Sequence, residues 1–392
     1  MKKRIQFIWG DSNYDFNNQT GALDSILRSI LKELSSHFDI YVNQYHIDEL
    51  LAISNKHDSN LNLSKPHPFS KFIPKTIKEY LRVGLKLVNL NKLYSKIELN
   101  PKPDLIFELS RLGSDLGVRL KEKHNVPLLV YFDAPSAEEY KVFHKNEVPL
   151  KKQIEAKEAH TIRKADKVIV YSSFVRDYLK RKMDVDQQVF SIYQTLDYSK
   201  LKYIKKPKRK EGVPIVIGYV GSFSVWHNLD LLIDSFFKLR KLNFNVQLLL
   251  VGKGMEYDRI KSKVEKSAYA DCIVFTGFLI ETELATQMTR IDIGVYPGSQ
   301  WYNIPTKVFE YGSYGIASIA PRNKTIKEIF SNDEILFFNS DDEFYSQLLS
   351  LVSSNTLLES SGSKLFELID SKYRLSKAGR FYNNVINNLV KE

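Results

Sequence analysis

Residues 215–251 read IVIGYVGSFSVWHNLDLLIDSFFKLRKLNFNVQLLLV, and this stretch decides the fold. An apolar run at 215–220 predicts a strand that ends at Gly221-Ser222. Helical spacing of apolar residues follows at 228–242, and a second apolar run at 246–251 predicts another strand. A strand, a helix and a second strand in this order predict a βαβ unit with parallel strands.

The same alternation extends through both halves of the chain. Further strands are predicted at 3–9, 38–44, 104–107, 126–132, 167–171, 273–275, 293–296 and 318–320. Helical spacing lies between them, as at 22–37, 154–164, 175–182 and 281–289. Repeated alternation of this kind predicts an α/β protein with parallel sheets, built as two doubly wound domains.

A basic stretch near the middle of the chain separates the two halves. Residues 200–211 hold seven basic side chains and one acidic, include Pro207, and end just before a predicted strand. We expect a first domain at 1–199, a linker at 200–213, a second domain at 214–370 and a terminal helix at 371–392. Ligands of such folds lie at the carboxyl ends of the strands, so we expect the site in a cleft between the domains.

The composition excludes several classes of protein. Of 392 residues, 43% are apolar and 26% are charged, which is typical of globular domains and not of disordered or fibrous chains. The single cysteine, Cys272, excludes an intrachain disulfide and a cysteine-based metal site. No apolar run of about 18 residues and no signal-peptide core occurs, so we expect a soluble, cytoplasmic protein.

The positive charge favours anionic partners. The chain has 57 basic and 46 acidic residues, a net charge of +11, and a basic stretch at 65–96 that contains a predicted helix at 75–92. One face of that helix carries Ile77, Leu81, Leu85 and Val88, and a neighbouring face carries Lys75, Lys78, Arg82 and Lys86. The pattern fits a helix lying on an anionic membrane, or a surface helix whose apolar face packs on the core. Signatures of nucleic-acid binding are missing, which disfavours that partner.

The most informative motif is PTKVFEYGSYG at 305–315. It opens a predicted helix after a loop, and the free N–H groups and dipole of a helix start favour an anion such as phosphate. Lys307 adds a positive charge for the same anion. Glu310 lies one turn further, where a carboxylate can accept hydrogen bonds from two sugar hydroxyls. The residues suit a sugar nucleotide; taken alone, they also fit an ordinary Lys/Glu pair on a helix.

Two further loops follow predicted strands. The loop at 218–228 places Gly221 where a ligand can approach the backbone, and His227 where it can donate to a phosphate oxygen. Ordinary packing explains a lone histidine equally well. The sequence VGKG at 251–254 resembles a shortened phosphate loop but lacks the Walker pattern. No Gly-x-Gly-x-x-Gly follows the first strand, which argues against a nicotinamide dehydrogenase.

Together these stretches resemble glycosyltransferase family 4, whose members are retaining enzymes of GT-B fold. In the second half the resemblance covers IGYVGSFSVWHNLDLLIDSF, LLLVGKGMEYDRI, IVFTGFL, IDIGVYPGS and PTKVFEYGSYG, in the family's order. In the first half it covers PDLIFELSRLGSDLGVRLKEKHNVPLLVYFDAPSAEEY and ADKVIVYSS. The resemblance implies two Rossmann-like domains facing a cleft, a nucleotide-sugar donor on the second, and a terminal helix that crosses back to the first.

The resemblance also implies roles for individual residues. Glu310 would bind the donor ribose, and the start of its helix would hold the diphosphate. Ser222 and His227 stand where many members have arginine and lysine, and Tyr302 stands where many have a second glutamate that touches the sugar. The implied donor-binding set is Gly221, Ser222, His227, Gly252, Lys253, Pro305, Thr306, Lys307, Val308 and Glu310. The implied acceptor side is Gly21, Asp133 and Glu138.

The implied reaction transfers a hexosyl group from a nucleoside diphosphate to an acceptor hydroxyl, with retention at the anomeric carbon. The catalytic set is Lys307 and His227, which would stabilise the leaving diphosphate, and Asp133, which would orient the acceptor. No cofactor and no metal are expected. The acceptor would be a glycan or a lipid-linked saccharide of a bacterial surface polysaccharide, reached by peripheral contact with the inner face of the plasma membrane.

Three alternatives remain open. An inactive GT-B partner subunit, suggested by Ser222, His227 and Tyr302, would not bind the donor. A sugar-nucleotide epimerase shares this architecture and would consume donor without an acceptor. A nucleic-acid binder would show a steep dependence of affinity on salt.

Overall fold

The chain forms two compact units. The computed structural model describes residues 2–10, 22–54, 74–184, 189–191, 212–279, 281–373 and 375–391. One unit is Met1–Ile192 with Gly379–Glu392, and the other is Tyr193–Ala378. Each has a sheet of mainly parallel strands, so the predicted α/β class is confirmed. Residues 200–211 of the predicted linker lie outside the described part of the chain, and the domain boundaries stay a prediction.

The first unit is built on a seven-stranded sheet of order β3-β2-β1-β4-β5-β6-β7, parallel except for the β2–β3 pair. Its strands are β1 (Arg4–Ile8), β2 (Asp39–Val42), β3 (Tyr45–His46), β4 (Leu105–Leu109), β5 (Leu128–Tyr131), β6 (Lys167–Val170) and β7 (Val189–Ser191). Its helices are α1 (Ala22–Ser35), α2 (Ile47–Ser54), α3 (Lys75–Lys96), α4 (Leu116–His124), α5 (Ser136–His144), α6 (Lys151–Lys164) and α7 (Ser173–Met183).

The second unit is built on a six-stranded sheet in which every pairing is parallel. Its strands are β8 (Ile215–Val220), β9 (Val246–Val251), β10 (Ile273–Gly277), β11 (Ile293–Val295), β12 (Ala317–Pro321) and β13 (Leu336–Phe338). Its helices are α8 (Leu229–Lys241), α9 (Tyr257–Glu265), α10 (Glu281–Met288), α11 (Thr306–Ser313), α12 (Lys324–Ile329), α13 (Asp341–Ser353) and α14 (Asn355–Lys372). The terminal helix α15 (Leu375–Leu389) follows.

The strand order of the second sheet places a crevice at its centre. The order is β10-β9-β8-β11-β12-β13, so the chain winds outwards from β8 on one side and from β11 on the other. Because crossovers between parallel strands are right-handed, connections that run outwards on the two sides lie on opposite faces of the sheet. A crevice therefore opens outside the carboxyl ends of β8 and β11, where ligands of doubly wound folds bind.

Tyr311 ties α11 to both central strands beside this crevice. Gly294 in β11 leaves room for its ring, since a Cβ at that glycine would lie 2.4 Å from the ring. The Tyr311 hydroxyl accepts a hydrogen bond from the Val220 N–H at 3.0 Å and donates to the Val295 carbonyl at 3.2 Å. Both strand ends thus set the position of α11, including its first turn.

The terminal helix returns to the first unit. The Tyr382 ring lies 6.1 Å from the Phe107 ring of β4, and Tyr382 and Ile386 are buried. Lys3 Nζ donates to the Val390 carbonyl at 2.5 Å. This is the return that the resemblance implied. In the part of the chain that the structure describes, no helix has both the length and the apolar character needed to cross a bilayer.

Candidate functional site

Three glycine loops pack backbone against backbone at the carboxyl ends of β8, β9 and β11. Gly221 and Gly252 have φ of 141° and 126°, values that residues with a side chain rarely adopt. A Cβ on Gly252 would lie 2.0 Å from the Gly221 carbonyl oxygen, and one on Gly298 would lie 2.3 Å from the Trp226 carbonyl oxygen. These contacts fill the space at Gly252 and Gly298, so both glycines hold neighbouring loops together.

The side chain of Lys307 occupies the space beside Gly221. A Cβ on that glycine would lie 2.4 Å from Lys307 Cε and 2.9 Å from Nζ. The ammonium lies 5.6 Å from the centre of the Tyr219 ring and 5.0 Å from that of Tyr296, within cation–π range of both. Lys307 is only 8% exposed. Two rings and the β8 loop therefore cage this charge at the crevice.

His227 completes the cage and fixes the direction of the Lys307 side chain. Its Nδ1 lies 3.2 Å from the Gly298 carbonyl oxygen, and its Nε2 lies 3.2 Å from Lys307 Nζ. A carbonyl oxygen only accepts, so Nδ1 carries the proton and Nε2 accepts from the ammonium. Burial, followed by the charge of Lys307, lowers the pKa of His227 well below its usual value. Both ring nitrogens are thus engaged, which differs from the direct donation to phosphate expected from the sequence.

Lys307 has no carboxylate partner in the part of the chain that the structure describes. Among the described residues, no Asp or Glu oxygen lies within 4 Å of its Nζ. Burial lowers the pKa of Lys307 to about 8, and the charge of Glu310 opposes that shift. Burial likewise raises the pKa of the half-buried Glu310 to about 7, against the charge of Lys307. A buried charge normally has a partner, so this site favours an incoming anion.

The first turn of α11 offers fewer free N–H groups than the sequence suggested. The Thr306 N–H donates to the Ile304 carbonyl at 2.9 Å, and the Val308 N–H donates to the Pro305 carbonyl at 2.9 Å. Pro305 caps the helix without a side-chain hydrogen bond. Among the N–H groups of Thr306, Lys307 and Val308, that of Lys307 has no partner within the described residues.

The other two expected donor-side residues lie on the β8 and β9 loops. Ser222 Oγ lies 3.1 Å from Ser224 Oγ, and the Ser222 carbonyl accepts from the Tyr219 hydroxyl at 2.6 Å. Lys253 is exposed, and its ammonium lies 5.9 Å from the Tyr257 ring. The structure thus places a buried cation, Lys307 in the first turn of α11, and an exposed one, Lys253 on the β9 loop, at the same edge of the second sheet.

The expected acceptor residues are less closely grouped. Gly21 lies outside the described residues. Asp133 follows β5 and is half-buried, while Glu138 lies in α5, where it accepts from the Tyr178 hydroxyl at 3.4 Å. In the described ranges, no group of three His, Cys, Asp or Glu side chains is placed to hold a metal ion.

Several residues at the carboxyl edges of the two sheets were not predicted from the sequence. Tyr219 and Tyr296 form the cage around Lys307, and their position at the ends of β8 and β11 was the available signal. In the first unit, burial raises the pKa of Glu139, against the positive charges of Arg111 and Lys86. Arg111 follows β4, so this charged group lies near the carboxyl edge of the first sheet.

Comparison with known families identifies the chain. The family described as glycosyl transferases group 1 matches residues 214–354, and the family described as glycosyltransferase family 4 matches residues 25–200. The chain belongs to the group 1, family 4 glycosyltransferases. An uncharacterized glycosyltransferase of Methanocaldococcus jannaschii is 24% identical over 236 residues, which cover 58% of this chain and 60% of that relative. The match therefore spans less than two thirds of the relative's length.

Solved structures show the same fold along the whole chain. Sucrose-phosphate synthase from Thermosynechococcus elongatus has a TM-score of 0.74 and 16% identity, and the match covers 99% of each chain. HepE from Anabaena, in complex with UDP, has a TM-score of 0.70 and 13% identity over 98% of this chain and 100% of that one. These likenesses confirm the GT-B fold of this family member.

Proposed function

We propose that the protein is a retaining glycosyltransferase that moves a hexosyl group from a nucleoside-diphosphate sugar to a hydroxyl of a glycan or lipid-linked saccharide. The observation that carries the proposal is the caged ammonium of Lys307, which lies at the crevice of a doubly wound sheet with no carboxylate within 4 Å among the described residues. A diphosphate supplies the missing negative charge. The UDP and UDP-glucose complexes of Anabaena HepE support the same class of ligand.

In this proposal the second unit binds the donor. Lys307 contacts the diphosphate through its ammonium and its N–H, and His227 directs the ammonium without touching the ligand. Glu310 accepts hydrogen bonds from the ribose hydroxyls. Lys253, exposed on the neighbouring loop, adds a second positive charge that becomes ordered on binding.

The reaction then proceeds on one face of the sugar. The bond between the anomeric carbon and the diphosphate oxygen breaks, and the acceptor oxygen bonds to the same face. The acceptor proton passes to an oxygen of the leaving phosphate. Lys307 stabilises the growing negative charge, so no metal or cofactor is required. Asp133, which follows β5, orients the acceptor.

The proposed setting is the cytoplasmic face of a membrane, in the assembly of a surface polysaccharide. The net charge of +11 favours an anionic surface, and α3 concentrates part of that charge. A lipid-linked acceptor would be presented at such a surface.

Product analysis tests the proposal. The protein is incubated with UDP-, GDP- and ADP-sugars, a lipid-linked saccharide fraction and a metal chelator, and the products are examined by mass spectrometry and NMR. We expect one donor to yield a glycosylated acceptor with retained anomeric configuration, and Glu310→Ala to lose most of that activity. Conversion of the donor without an acceptor would replace the proposal by an epimerase, and absence of donor binding would replace it by an inactive partner subunit.

A further inference from the structure

Helix α3 carries a stripe of large apolar side chains that faces solvent. Ile77, Tyr80, Leu81, Leu85 and Val88 are 51%, 53%, 52%, 62% and 49% exposed. Their spacing places them along one side of the helix, and Gly84 lies among them with open space where a Cβ would stand. The stripe extends over about 17 Å at 1.5 Å per residue. A contiguous exposed apolar patch marks an interaction surface.

A different side of α3 attaches it to the first unit. Val83, Leu90 and Leu93 are buried, and Val83 packs in a cluster with Tyr140 of α5. Arg82 donates to the Tyr140 hydroxyl at 2.8 Å. The alternative that the stripe packs on the core is therefore wrong, because other residues of the helix make that contact.

Basic side chains border the stripe. Lys78 and Arg82 are exposed along one edge of it, with Arg82 also 3.5 Å from Glu79, and the exposed Lys92 stands one turn beyond Val88. An apolar stripe with a cationic border complements an anionic bilayer, since the apolar side chains enter the acyl boundary and the cations meet the headgroups. Soluble protein partners would need an apolar groove with acidic rims, so the bilayer is the occupant that these charges favour.

We infer that the outer face of α3 is a bilayer-insertion surface, in which Leu81 and Leu85 enter the lipid and the basic border selects anionic headgroups. The inference rests on the proposed membrane association and deepens it, because charge alone would give adsorption without insertion. On its inner side α3 packs against the loop after β4, where a Cβ on Gly113 would lie 2.5 Å from Leu87. Insertion therefore brings the carboxyl edge of the first sheet close to the bilayer surface, where a lipid-linked acceptor is held.

Vesicle flotation of the full chain tests the inference. Vesicles of phosphatidylcholine alone and of equal parts phosphatidylcholine and phosphatidylglycerol are used, at low and at high salt. The stripe variant is Leu81→Ser with Leu85→Ser. Its matched control is Leu242→Ser with Met255→Ser, since Leu242 and Met255 are 59% and 60% exposed elsewhere. We expect wild type and control to float with the anionic vesicles and to keep part of that binding at high salt. The stripe variant should bind these vesicles more weakly by about tenfold at least.

The remaining outcomes overturn the inference in distinguishable ways. If the stripe variant binds the vesicles as tightly as wild type, and high salt abolishes the binding of both, the protein adsorbs to the membrane surface without insertion. No flotation of the wild type would remove membrane association as a whole. A dimer in sedimentation that the stripe variant abolishes, without vesicle binding, would assign the surface to a second copy of the chain. A thermal-shift assay with donor, expected to be unchanged in every variant, separates these failures from a failure of the proposed transferase.

Discussion

The two units hold buried charge in opposite ways. In the first unit, Glu108 accepts hydrogen bonds from Ser114 Oγ at 2.5 Å and from the Gly117 N–H at 3.0 Å, one for each carboxylate oxygen. In the second unit, Lys307 has one nitrogen acceptor, His227 Nε2, and two aromatic ring faces. Glu108 therefore ties a loop to its own sheet, whereas Lys307 keeps donor capacity for a ligand.

The difference shows how a structural charge is told from a binding one. Glu158 follows the structural pattern, since one oxygen accepts from the N–H of Ser136 at 3.0 Å and from its hydroxyl. Both carboxylates hold loops that follow strands β4 and β5, and the fold alone satisfies them. Lys307 is satisfied by the fold only in part, and the diphosphate of the proposed donor supplies the rest.

The largest expected effect concerns Glu108 and the pH dependence of stability. Burial raises its pKa to about 7 in the folded protein, above the usual value near 4.5. Its contribution to stability is therefore complete below about pH 4.5 and is lost as the pH rises through about 7. We expect Glu108→Gln to remove this dependence. Between pH 4.5 and 8 the unfolding free energy of wild type should therefore fall by about 3 kcal/mol relative to that of the variant.

Urea unfolding at a series of pH values measures this. Glu147→Gln is the control, because Glu147 is exposed and hydrogen bonds from Lys141 and Lys151 lower its pKa to about 2. That group stays ionised across the whole window, so the control should follow the wild-type slope. A Glu108→Gln variant whose stability parallels that of wild type across this pH range would mean that burial does not raise the pKa of Glu108.

The second effect concerns Lys307 and the donor. Lys307→Met keeps an unbranched side chain one atom shorter and removes the charge. We expect it to lower nucleoside-diphosphate affinity by about 100-fold, which corresponds to the loss of one or two charge-assisted hydrogen bonds. The unfolding free energy should stay equal or rise, since the change removes a buried charge that no carboxylate of the described segments pairs with. Calorimetric titration and urea unfolding measure the two quantities.

A matched substitution is Lys121→Met in the first unit, where Lys121 Nζ pairs with Asp166 at 2.6 Å. It should leave donor affinity unchanged and lower stability slightly. If Lys307→Met behaved like Lys121→Met, the contrast between the two kinds of charge would disappear.

The smallest effect concerns His227. His227→Phe keeps a ring in the cage but removes the Nε2 acceptor, so we expect donor affinity to fall by about fivefold, a little over 1 kcal/mol. His227→Gln should recover part of the loss, because its amide oxygen can accept from Lys307. Donor titration from about pH 7 to 9 separates this positioning role from packing: without Nε2 the midpoint of the pH dependence should move, whereas a packing role would leave it in place.

Local pattern was enough to predict the α/β class and to single out the segments that meet at the candidate site. The βαβ periodicity at 215–251 and the motif at 305–315 describe segments whose structure depends on neighbours in sequence. The cage around Lys307 was not predicted, because Lys307 and His227 are 80 residues apart and meet only through the strand order. The distribution of free and occupied N–H groups in the first turn of α11 depends likewise on the bend at Pro305.

The burial of helix α3 was likewise not predictable from the sequence alone. The sequence predicted its apolar face correctly as a stripe, and left open whether that stripe met the core or an external surface. The helix has a second set of apolar residues, Val83, Leu90 and Leu93, and periodicity alone does not say which set is buried. Packing against α5 decides it.

The most direct test of the central claim is the pH dependence of nucleoside-diphosphate binding. UDP, GDP and ADP are titrated calorimetrically into the wild type and into Lys307→Met, without metal, at about pH 7 and about pH 9. With a Lys307 pKa of about 8, we expect one nucleotide to bind the wild type about tenfold more weakly at the higher pH, and the variant to bind weakly and equally at both. Binding that is equally tight in the variant, or absent from the wild type at both pH values, would contradict the account.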